Sequence, residues 1–306
     1  MRVILAGTPS IALPIFESVF QSDIKVLAVI TNPPRSQGRS GAPVASPVSK
    51  WASERGLKVF EDGDLYALDL PLSDADLVLV VAFGRLIPSD LLSRPKNGWV
   101  NIHFSHLPEA RGAAPVQRMI AAGATSIGYT LFRLEAGMDS GPVYHRSKEL
   151  NIAGRTTGEV WNLLAEQAAD EIVDLLHKIA KGMIPIPQEP YEGEIASAPK
   201  ISSDEARISW QEQKLDVVSK ILAFNPAPSA WTTFRGERFI IHRAELANER
   251  AETEIFGLIV IERSDVYVSA GNGWVRLLEV QPAGKKRMTS AEWARGVSLN
   301  AHERFE

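Results

Sequence analysis

Residues 76–83 read DLVLVVAF and are apolar over nearly their whole length. Successive side chains of a strand point to opposite faces, so a strand of this composition is apolar on both. Central strands of parallel sheets have this composition because helices cover both of their faces. The segment therefore predicts an α/β fold built around a parallel sheet, and the apolar loop 84–88, GRLIP, follows at the carboxyl end of the strand.

The N-terminus predicts the beginning of the same sheet. Residues 2–7 and 24–31 have the composition of buried strands, and residues 11–21 between them have that of a helix. The turn after the first strand reads GTPS and lacks the glycine pattern G-x-G-x-x-G. Because that pattern lets the backbone approach a pyrophosphate, we assign no dinucleotide site and expect no NAD-dependent enzyme despite the Rossmann-like beginning.

Residues 99–118, WVNIHFSHLPEARGAAPVQR, place polar side chains that can take part in catalysis where a buried strand should end. Alternation puts Asn101, His103 and Ser105 on one face of this strand and apolar residues on the other. A loop through residues 107–112 follows, before a helix that we predict at 114–122. Ligands of open α/β sheets bind beyond the carboxyl ends of the strands, so we expect the functional site here.

A second polar strand end is predicted at residues 136–142, AGMDSGP, after a strand at 126–135. Asp139 lies between glycines, where a backbone can come close to a ligand. An isolated histidine is more often structural than catalytic, but a parallel sheet can bring Asn101, His103 and Asp139 around one crevice. The three types suit acyl transfer without a covalent intermediate, because an amide and an imidazole can stabilise an oxyanion while a carboxylate orients the imidazole.

Other chemistries are not indicated. The sequence contains no serine hydrolase motif in a suitable context, no H-E-x-x-H motif and no Walker A loop. It contains no cysteine, which excludes disulfides, thiolate zinc sites and thiol nucleophiles and fits a reducing compartment. No apolar run approaches the roughly 18 residues that span a membrane, so we expect a cytoplasmic protein without a membrane segment.

The length of 306 residues predicts two domains. A capping box from Thr156 to Glu159 begins a long helix that should end near Gly182. Residues 184–199 hold four prolines and no clear periodicity, as expected of a connecting segment. We place a catalytic domain at residues 1–188, a linker at 189–205 and a second domain at 206–306.

The second domain has a different pattern. One helix is predicted at residues 213–224, and short alternating runs follow at 230–234, 238–246, 257–262, 266–270 and 274–280. The pairs Arg235-Gly236 and Asn272-Gly273 are hairpin signals. This pattern predicts a small, mostly antiparallel barrel of the OB kind, a fold that binds nucleic acid in some proteins but does not establish that function.

The chain has 33 lysine and arginine residues against 37 aspartate and glutamate residues, and the net charge of −4 does not indicate a general polyanion binder. Residues 32–47 are rich in Pro, Gly and Ser and carry only Arg35 and Arg39 as charges, so composition alone favours an exposed connector. Lys285, Lys286 and Arg287 could contact phosphates, although a run of three charges is more often a solvated loop.

Together these segments resemble a known family. NIHFSHLP at residues 101–108, RGAAPVQ at 111–117 and MDSGP at 138–142 are similar to the signatures of the folate-dependent formyltransferases. Further segments resemble the branch of that family that acts on methionyl-tRNA, namely GTP at 7–9, QGR at 37–39, VAFG at 81–84, DEARI at 204–208, FNP at 224–226 and QPAGKK at 281–286. The resemblance covers nearly the whole chain.

The resemblance implies that Asn101, His103 and Asp139 form a catalytic centre that requires no metal. It implies that 10-formyltetrahydrofolate binds beside one loop of Ser105, His106, Leu107 and Pro108 and another of Phe83, Gly84, Leu86 and Ile87. The loop with Arg39 would enter the acceptor-stem region of initiator methionyl-tRNA, and the second domain would hold the body of the tRNA, with Lys285, Lys286 and Arg287 as contacts. No feature of the sequence requires an oligomer, so we expect a monomer.

Two positions depart from the family pattern. His106 stands where the family usually has leucine, so it could alter the folate pocket or add a titrating group. The loop after Arg39 reads Ser-Gly-Ala, where relatives commonly have more lysines, so fewer phosphate contacts are expected there.

The expected mechanism is direct attack of an amine on the formyl carbon. Asn101 and a protonated His103 would stabilise the oxyanion, while Asp139 would keep His103 charged and oriented or relay the proton of the amine. Three alternatives remain open from sequence: a formyltransferase for a sugar-nucleotide amine, a formyltetrahydrofolate hydrolase, and a non-catalytic tRNA- or folate-binding module.

Overall fold

The computed structural model describes residues 1–36, 41–62, 64–66, 68–247, 250–251 and 253–306. The chain divides into two compact units that are interleaved in sequence. The first comprises Met1–Pro115, Ile127–Leu150 and Trp161–Ala198, and the second comprises Val116–Ser126, Asn151–Val160 and Pro199–Glu306. Because these units group residues that pack together and are not consecutive segments, the predicted domain boundaries stay a prediction.

The helices, in chain order, are α1 (Leu13–Phe20), α2 (Pro47–Glu54), α3 (Ser89–Leu92), α4 (Pro115–Ala121), α5 (Thr157–Ala180), α6 (Lys214–Ala223) and α7 (Ser290–Gly296). The strands are β1 (Arg2–Gly7), β2 (Lys25–Ile30), β3 (Arg35–Ser36), β4 (Pro43–Val44), β5 (Val59–Phe60), β6 (Leu77–Val81), β7 (Trp99–His103), β8 (Ser126–Ile127), β9 (Thr130–Arg133), β10 (Val143–Arg146), β11 (Leu150–Asn151), β12 (Trp231–Phe234), β13 (Glu237–Leu246), β14 (Ile259–Glu262), β15 (Asp265–Ala270), β16 (Gly273–Pro282) and β17 (Met288–Thr289).

The first unit is built on a mostly parallel sheet. In the described part of the chain, its strand order is β10-β9-β7-β6-β1-β2-β5. The neighbours from β7 to β5 pair in parallel, and β6 is buried at every position, which confirms the parallel α/β fold predicted from residues 76–83.

Two strands at one edge of the first sheet are antiparallel to their neighbours. Strand β9 runs antiparallel to β7, and β10 runs antiparallel to β9. The single strand predicted at 126–135 is divided into β8 and β9. A parallel neighbour needs a crossover of a dozen or more residues, and the segment from 134 to 142 is too short for that. A turn between antiparallel strands therefore forms, and it carries Asp139.

Three strand ends of the first unit are tied together by side-chain hydrogen bonds. The buried amide Nδ2 of Asn32, just after β2, donates to Thr8 Oγ1 and to the carbonyl oxygen of Phe83, both at 2.9 Å. Thr8 follows β1 and Phe83 follows β6, so one asparagine joins the carboxyl ends of three parallel strands. This holds the loop after β6 at the edge of the sheet where ligands bind in such folds.

The second unit is a small antiparallel β structure. Its strand order is β12-β13-β16-β15-β14, with β17 paired to β16. The outer strands are joined by the terminal residues, because Glu306 exchanges backbone hydrogen bonds with Thr233 while Glu303 and Phe305 bond to Ile259 and Gly257. The sheet thus closes on itself, and the predicted OB-like barrel is confirmed.

An aromatic core fills the second unit. Phe305 lies with its ring centroid 4.9 Å from that of Phe239, 5.7 Å from that of Trp210 and 6.0 Å from that of Trp293. Helix α7, which supplies Trp293, is absent from the sequence prediction, although the capping box between Thr289 and Glu292 is a signal from which it could have been predicted.

Among the described residues, no helix is both long and apolar enough to cross a membrane.

Candidate active site

Strand β7 presents Asn101 and His103 on one face near its carboxyl end, as alternation predicts. The imidazole of His103 is 6% exposed. Its Nε2 lies 2.9 Å from the carbonyl oxygen of Ala110. The side-chain amide of Asn101 is partly exposed and makes no hydrogen bond to any residue within the described ranges. An amide with open donors at a strand end is available to an oxygen atom of a ligand.

Asp139 lies in the turn between β9 and β10 and reaches back to β7. Its Oδ2 accepts a hydrogen bond of 2.8 Å from the backbone N–H of Gly112. The same oxygen lies 3.7 Å from Nδ1 of His103. The turn and the loop after β7 therefore bring together His103 and Asp139, two side chains that are 36 positions apart in the sequence and only 6% and 16% exposed.

The protonation of His103 follows from these contacts. A carbonyl oxygen can only accept, so Nε2 carries the proton that it donates to Ala110. Burial lowers the pKa of His103 below its ordinary value, and the opposing effects of Asp139 and of the Ala110 hydrogen bond do not cancel it. The free site therefore favours a neutral imidazole with a lone pair on Nδ1 facing Asp139. The protonated His103 expected from the sequence is a state of the reaction itself, and it stays a prediction.

The predicted folate-contacting residues divide into two groups by burial. Ser105, Leu107 and Phe83 are inside the protein, where Ser105 Oγ donates to the carbonyl oxygen of Glu109 at 2.6 Å and Leu107 packs against Phe132 and Val143. The residues that keep exposed surface are His106, Pro108, Gly84, Leu86 and Ile87. The first group shapes the two loops from within, and the second group is the part that a ligand can touch.

His106 has a structural partner of its own. Its Nε2 lies 2.9 Å from the carbonyl oxygen of Ser147, and its Nδ1 lies 3.7 Å from a carboxylate oxygen of Glu149. A Cβ atom at Gly128 would lie 2.0 Å from that Nε2. The absence of a side chain at Gly128 makes room for the imidazole, which is thereby directed toward the end of β10.

A segment predicted as linker lies against the loop after β7. The backbone N–H of Ala110 donates to Ile195 at 2.7 Å, that of Ala198 donates to Arg111 at 2.6 Å, and that of Ala114 donates to Ala198 at 3.0 Å. Gly112 has a φ of +129°, and a Cβ there would lie 2.6 Å from the carbonyl oxygen of Ala198. Sequence reasoning missed these contacts, because a proline-rich segment without periodicity carries no signal for what it packs against.

The candidate tRNA contacts are partly described. Arg39 lies outside the described residues. Lys285 and Lys286 are exposed after β16, while Arg287 forms an ion pair with Glu279. Sequence reasoning missed another cationic feature of the second unit, which comprises Arg207, Arg238 and Trp231.

In that feature, the guanidinium carbons of Arg238 and Arg207 lie 4.4 Å and 5.6 Å from the ring centroid of Trp231. Neither arginine pairs with a carboxylate in the described part of the structure. The described residues also contain no group of three or more His, Cys, Asp or Glu side chains that could hold a metal ion.

Comparison with known proteins shows the family to which the chain belongs. Residues 1–176 match the family model described as formyl transferase, and residues 200–298 match that of the formyl transferase C-terminal domain. The methionyl-tRNA formyltransferase of Thermobifida fusca is 40% identical over 310 residues, covering 100% of this chain and 99% of that protein. The methionyl-tRNA formyltransferase of Mycobacterium sp. strain KMS is 40% identical over 306 residues and 98% of each chain.

Solved structures share the fold at low identity. HypX from Aquifex aeolicus in complex with tetrahydrofolic acid has a TM-score of 0.67 at 16% identity, covering 95% of this chain but 46% of HypX, so the present chain spans about half of that protein. Methionyl-tRNA formyltransferase from Clostridium thermocellum has a TM-score of 0.56 at 17% identity, covering 82% of this chain and 95% of that one.

Proposed function

The chain belongs to the formyl transferase family, and from that premise we propose that it transfers a formyl group from 10-formyltetrahydrofolate to the α-amino group of methionyl-initiator tRNA. The observation that carries this proposal is identity of about 40% to methionyl-tRNA formyltransferases over both units of the chain. Likeness of fold by itself leaves the acceptor open, because the sugar 3N-formyl transferase WlaRD shares the fold over 94% of this chain at 16% identity.

The reaction needs positioning and proton transfer. The folate supplies a formyl group on N10; the amine nitrogen bonds to the formyl carbon, the bond from that carbon to N10 breaks, and one proton passes from the amine to N10. Asn101 is suited to stabilise the oxygen that becomes negative, because its amide donors have no protein partner in the described residues. One donor of this kind contributes roughly 100- to 1000-fold in rate.

His103 is suited to carry the proton. The neutral imidazole favoured by burial takes up a proton at Nδ1 while Nε2 stays bonded to Ala110. The Asp139 carboxylate, 3.7 Å away, then stabilises the imidazolium until the proton is returned. A positioned base contributes roughly 100- to 10000-fold in rate. This assignment makes His103 a base in the free enzyme and a cation only during turnover.

We propose that the pteridine ring of the folate binds against the exposed side chains of the two loops. Leu86 is 86% exposed and lies in the loop that Asn32 anchors, while Pro108 and His106 lie on the other loop. A large apolar side chain that is left exposed is characteristic of a surface that binds a ligand. We further propose that the enzyme acts as a cytoplasmic monomer and requires no metal.

The test supplies donor labelled in the formyl group together with methionyl-initiator tRNA, an amino-sugar nucleotide, or water alone. We expect label in the tRNA, with kcat lowered about 100-fold or more by Asn101→Ala, His103→Ala and Asp139→Ala. Asn300→Ala, a change at an exposed asparagine of the second unit, is the matched control and should leave kcat unchanged. Near-normal kcat in any of the three variants removes that residue from the scheme, and label transfer to sugar or water in preference to tRNA rejects the proposed acceptor.

A further inference from the structure

The side chain of Gln188 joins the two loops that carry the candidate catalytic groups. Its Nε2 donates to the carbonyl oxygens of Asp139 and Gly141, at 2.8 Å and 2.7 Å. Its Oε1 accepts from Nε and Nη2 of Arg111, at 3.2 Å and 2.6 Å. A carboxamide has two N–H donors and two lone pairs. Gln188 therefore uses its full hydrogen-bonding capacity on the two loops.

The backbone of the loop that carries Asp139 adopts a conformation that requires stabilising contacts. Asp139 has a φ of +48°, in the left-handed region that favours glycine. Such conformations persist only where surrounding contacts determine them. Gln188 bonds to the carbonyl of Asp139 itself and to that of Gly141 two residues later, so it fixes the strained turn on both sides of Ser140.

The other loop contacts both catalytic groups through its backbone. Arg111 lies between Ala110, whose carbonyl accepts from His103 Nε2, and Gly112, whose N–H donates to Asp139 Oδ2. A guanidinium held by Gln188 therefore restrains the peptide groups that position His103 and Asp139 relative to each other. A shift of either loop changes the 3.7 Å separation of His103 Nδ1 and Asp139 Oδ2.

The chain around Gln188 is itself anchored to the sheet of the first unit. Ile186 exchanges backbone hydrogen bonds of 2.7 Å and 2.8 Å with Val143, the first residue of β10. Gln188 follows two residues later, and Tyr191 donates from its hydroxyl to Glu109 Oε1 at 2.9 Å. The amide thus projects from a segment held on both sides, which allows it to act as a fixed reference for the two loops.

We propose that Gln188 is a positioning residue that sets Asp139 against His103. This inference rests on the proposed formyl transfer, because the two groups that Gln188 aligns are those assigned to that reaction. Gln188 touches neither the reacting atoms nor His103 directly, so its effect should appear in kcat with little change in the KM for tRNA. Misplacement of a catalytic group by about 1 Å can lower a rate about 100-fold.

Two variants distinguish the loss of the N–H donors of Gln188 from the loss of its whole amide group. Gln188→Glu keeps oxygen atoms for Arg111 but replaces the donor to Asp139 and Gly141 with an acceptor, which repels their carbonyls. Gln188→Met has a similar length and removes both interactions. Gln167 serves as the matched control, since its Nε2 donates to the backbone of Lys148 at 3.1 Å and it contacts no group assigned to catalysis.

The first readout is steady-state formylation of methionyl-tRNA by the full-length variants, with folding checked by circular dichroism. We expect kcat to fall about 10- to 100-fold in Gln188→Glu and in Gln188→Met, with the KM for tRNA within about threefold of the native value. Gln167→Glu and Gln167→Met should keep the native kcat. A native kcat in a folded Gln188 variant, or a loss of kcat that is the same in the Gln167 controls, overturns the proposal.

The second readout needs no substrate. Because Asp139 raises the pKa of His103 against the effect of burial, displacing Asp139 should move that pKa further down. An NMR titration of the His103 imidazole in the free enzyme should show this in Gln188→Met, which adds no charge of its own, and not in Gln167→Met. An unchanged titration overturns the positioning role even if the native enzyme formylates tRNA. Failure of the native enzyme to formylate tRNA, with the titration shifted as expected, rejects the proposed function alone.

Discussion

At the scale of single residues, the candidate site combines a buried imidazole with a nearby carboxylate. Burial disfavours the charged form of His103, and Asp139 favours it. The backbone of Ala110 fixes which nitrogen carries the proton in the neutral form. The consequence is a base whose accepting atom, Nδ1, lies 3.7 Å from a carboxylate that can stabilise its protonated form.

This arrangement predicts the titration of His103. In the native enzyme its pKa should lie below 6.5, the ordinary value, so the imidazole is neutral at pH 7. Asp139→Asn removes the charge that raises the pKa, so the midpoint should move lower still. Resonances of the labelled imidazole, followed by NMR from pH 4 to 8 with His302→Gln to aid assignment, measure both midpoints. A native midpoint above 6.5 would contradict the neutral base.

The same shift sets the sign of a stability effect. A histidine whose pKa is lower when folded binds its proton more weakly in the native state than in the unfolded one. The contribution of His103 to stability is therefore lost as the pH falls through its unfolded value near 6.5 toward its folded value, and it is fully present above 6.5.

At the scale of elements, closure of the second unit depends on its last residues. Phe305 is 2% exposed, and its backbone N–H bonds to Gly257 at 2.9 Å. Glu303 pairs with the guanidinium of Arg235, beside the β12–β13 turn. The segment 303–306 thus lies between β12 and β14 and connects them. It is stabilised by the packing of the Phe305 ring and by backbone hydrogen bonds to both strands' neighbourhoods.

The importance of this segment can be measured by removing one ring. Phe305→Ala leaves a cavity among Trp210, Phe239 and Trp293 and should lower the stability of the second unit by about 3–5 kcal/mol. Hydrogen exchange at the amides of β12 and β14 reports on that unit by itself, which matters because a chain of two units need not unfold in one step. His302→Ala, at an exposed position of the same segment, should leave exchange unchanged. Equal exchange in the two variants would show that closure does not stabilise the unit.

At the scale of the whole molecule, the net charge of −4 means that a tRNA must be bound through local cationic surface. Lys285 and Lys286 are exposed, whereas the charge of Arg287 is compensated by Glu279. Arg207 and Arg238 flank Trp231 and add a second cationic surface in the same unit. Few phosphate contacts are therefore expected, which implies a shallow dependence of affinity on salt.

Binding of methionyl-initiator tRNA, measured over a range of salt concentrations, tests this expectation. Each phosphate contact contributes roughly 0.9 to the slope of log K against log salt. The double variant Lys285→Ala with Lys286→Ala should lower the slope by about 1 to 2. Lys178→Ala with Lys181→Ala makes the same change in net charge, at the last turn of α5 and just after it, and is the control, with an unchanged slope. An affinity that does not vary with salt would exclude these phosphate contacts.

The sequence by itself determined what depends on local pattern. Alternation along single strands was enough to predict β6 as a buried central strand and to put Asn101 and His103 on one face of β7. Capping and turn residues were enough for the start of α5 and for the hairpins of the barrel, whose strands lie within about two residues of their predicted bounds. These features are set by residues a few positions apart, so a single sequence contains their signal.

Only the tertiary structure decided which distant groups meet. The hydrogen bonds of Gln188 to Asp139 and Arg111 join residues that are 49 and 77 positions apart. Nothing in a proline-rich segment indicates which residues it will contact. Burial of Ser105 and the lowered pKa of His103 likewise depend on atoms contributed by other strands and loops. Hydrogen-bond partners and desolvation are properties of the packed neighbourhood, which the order of residues along a strand does not specify.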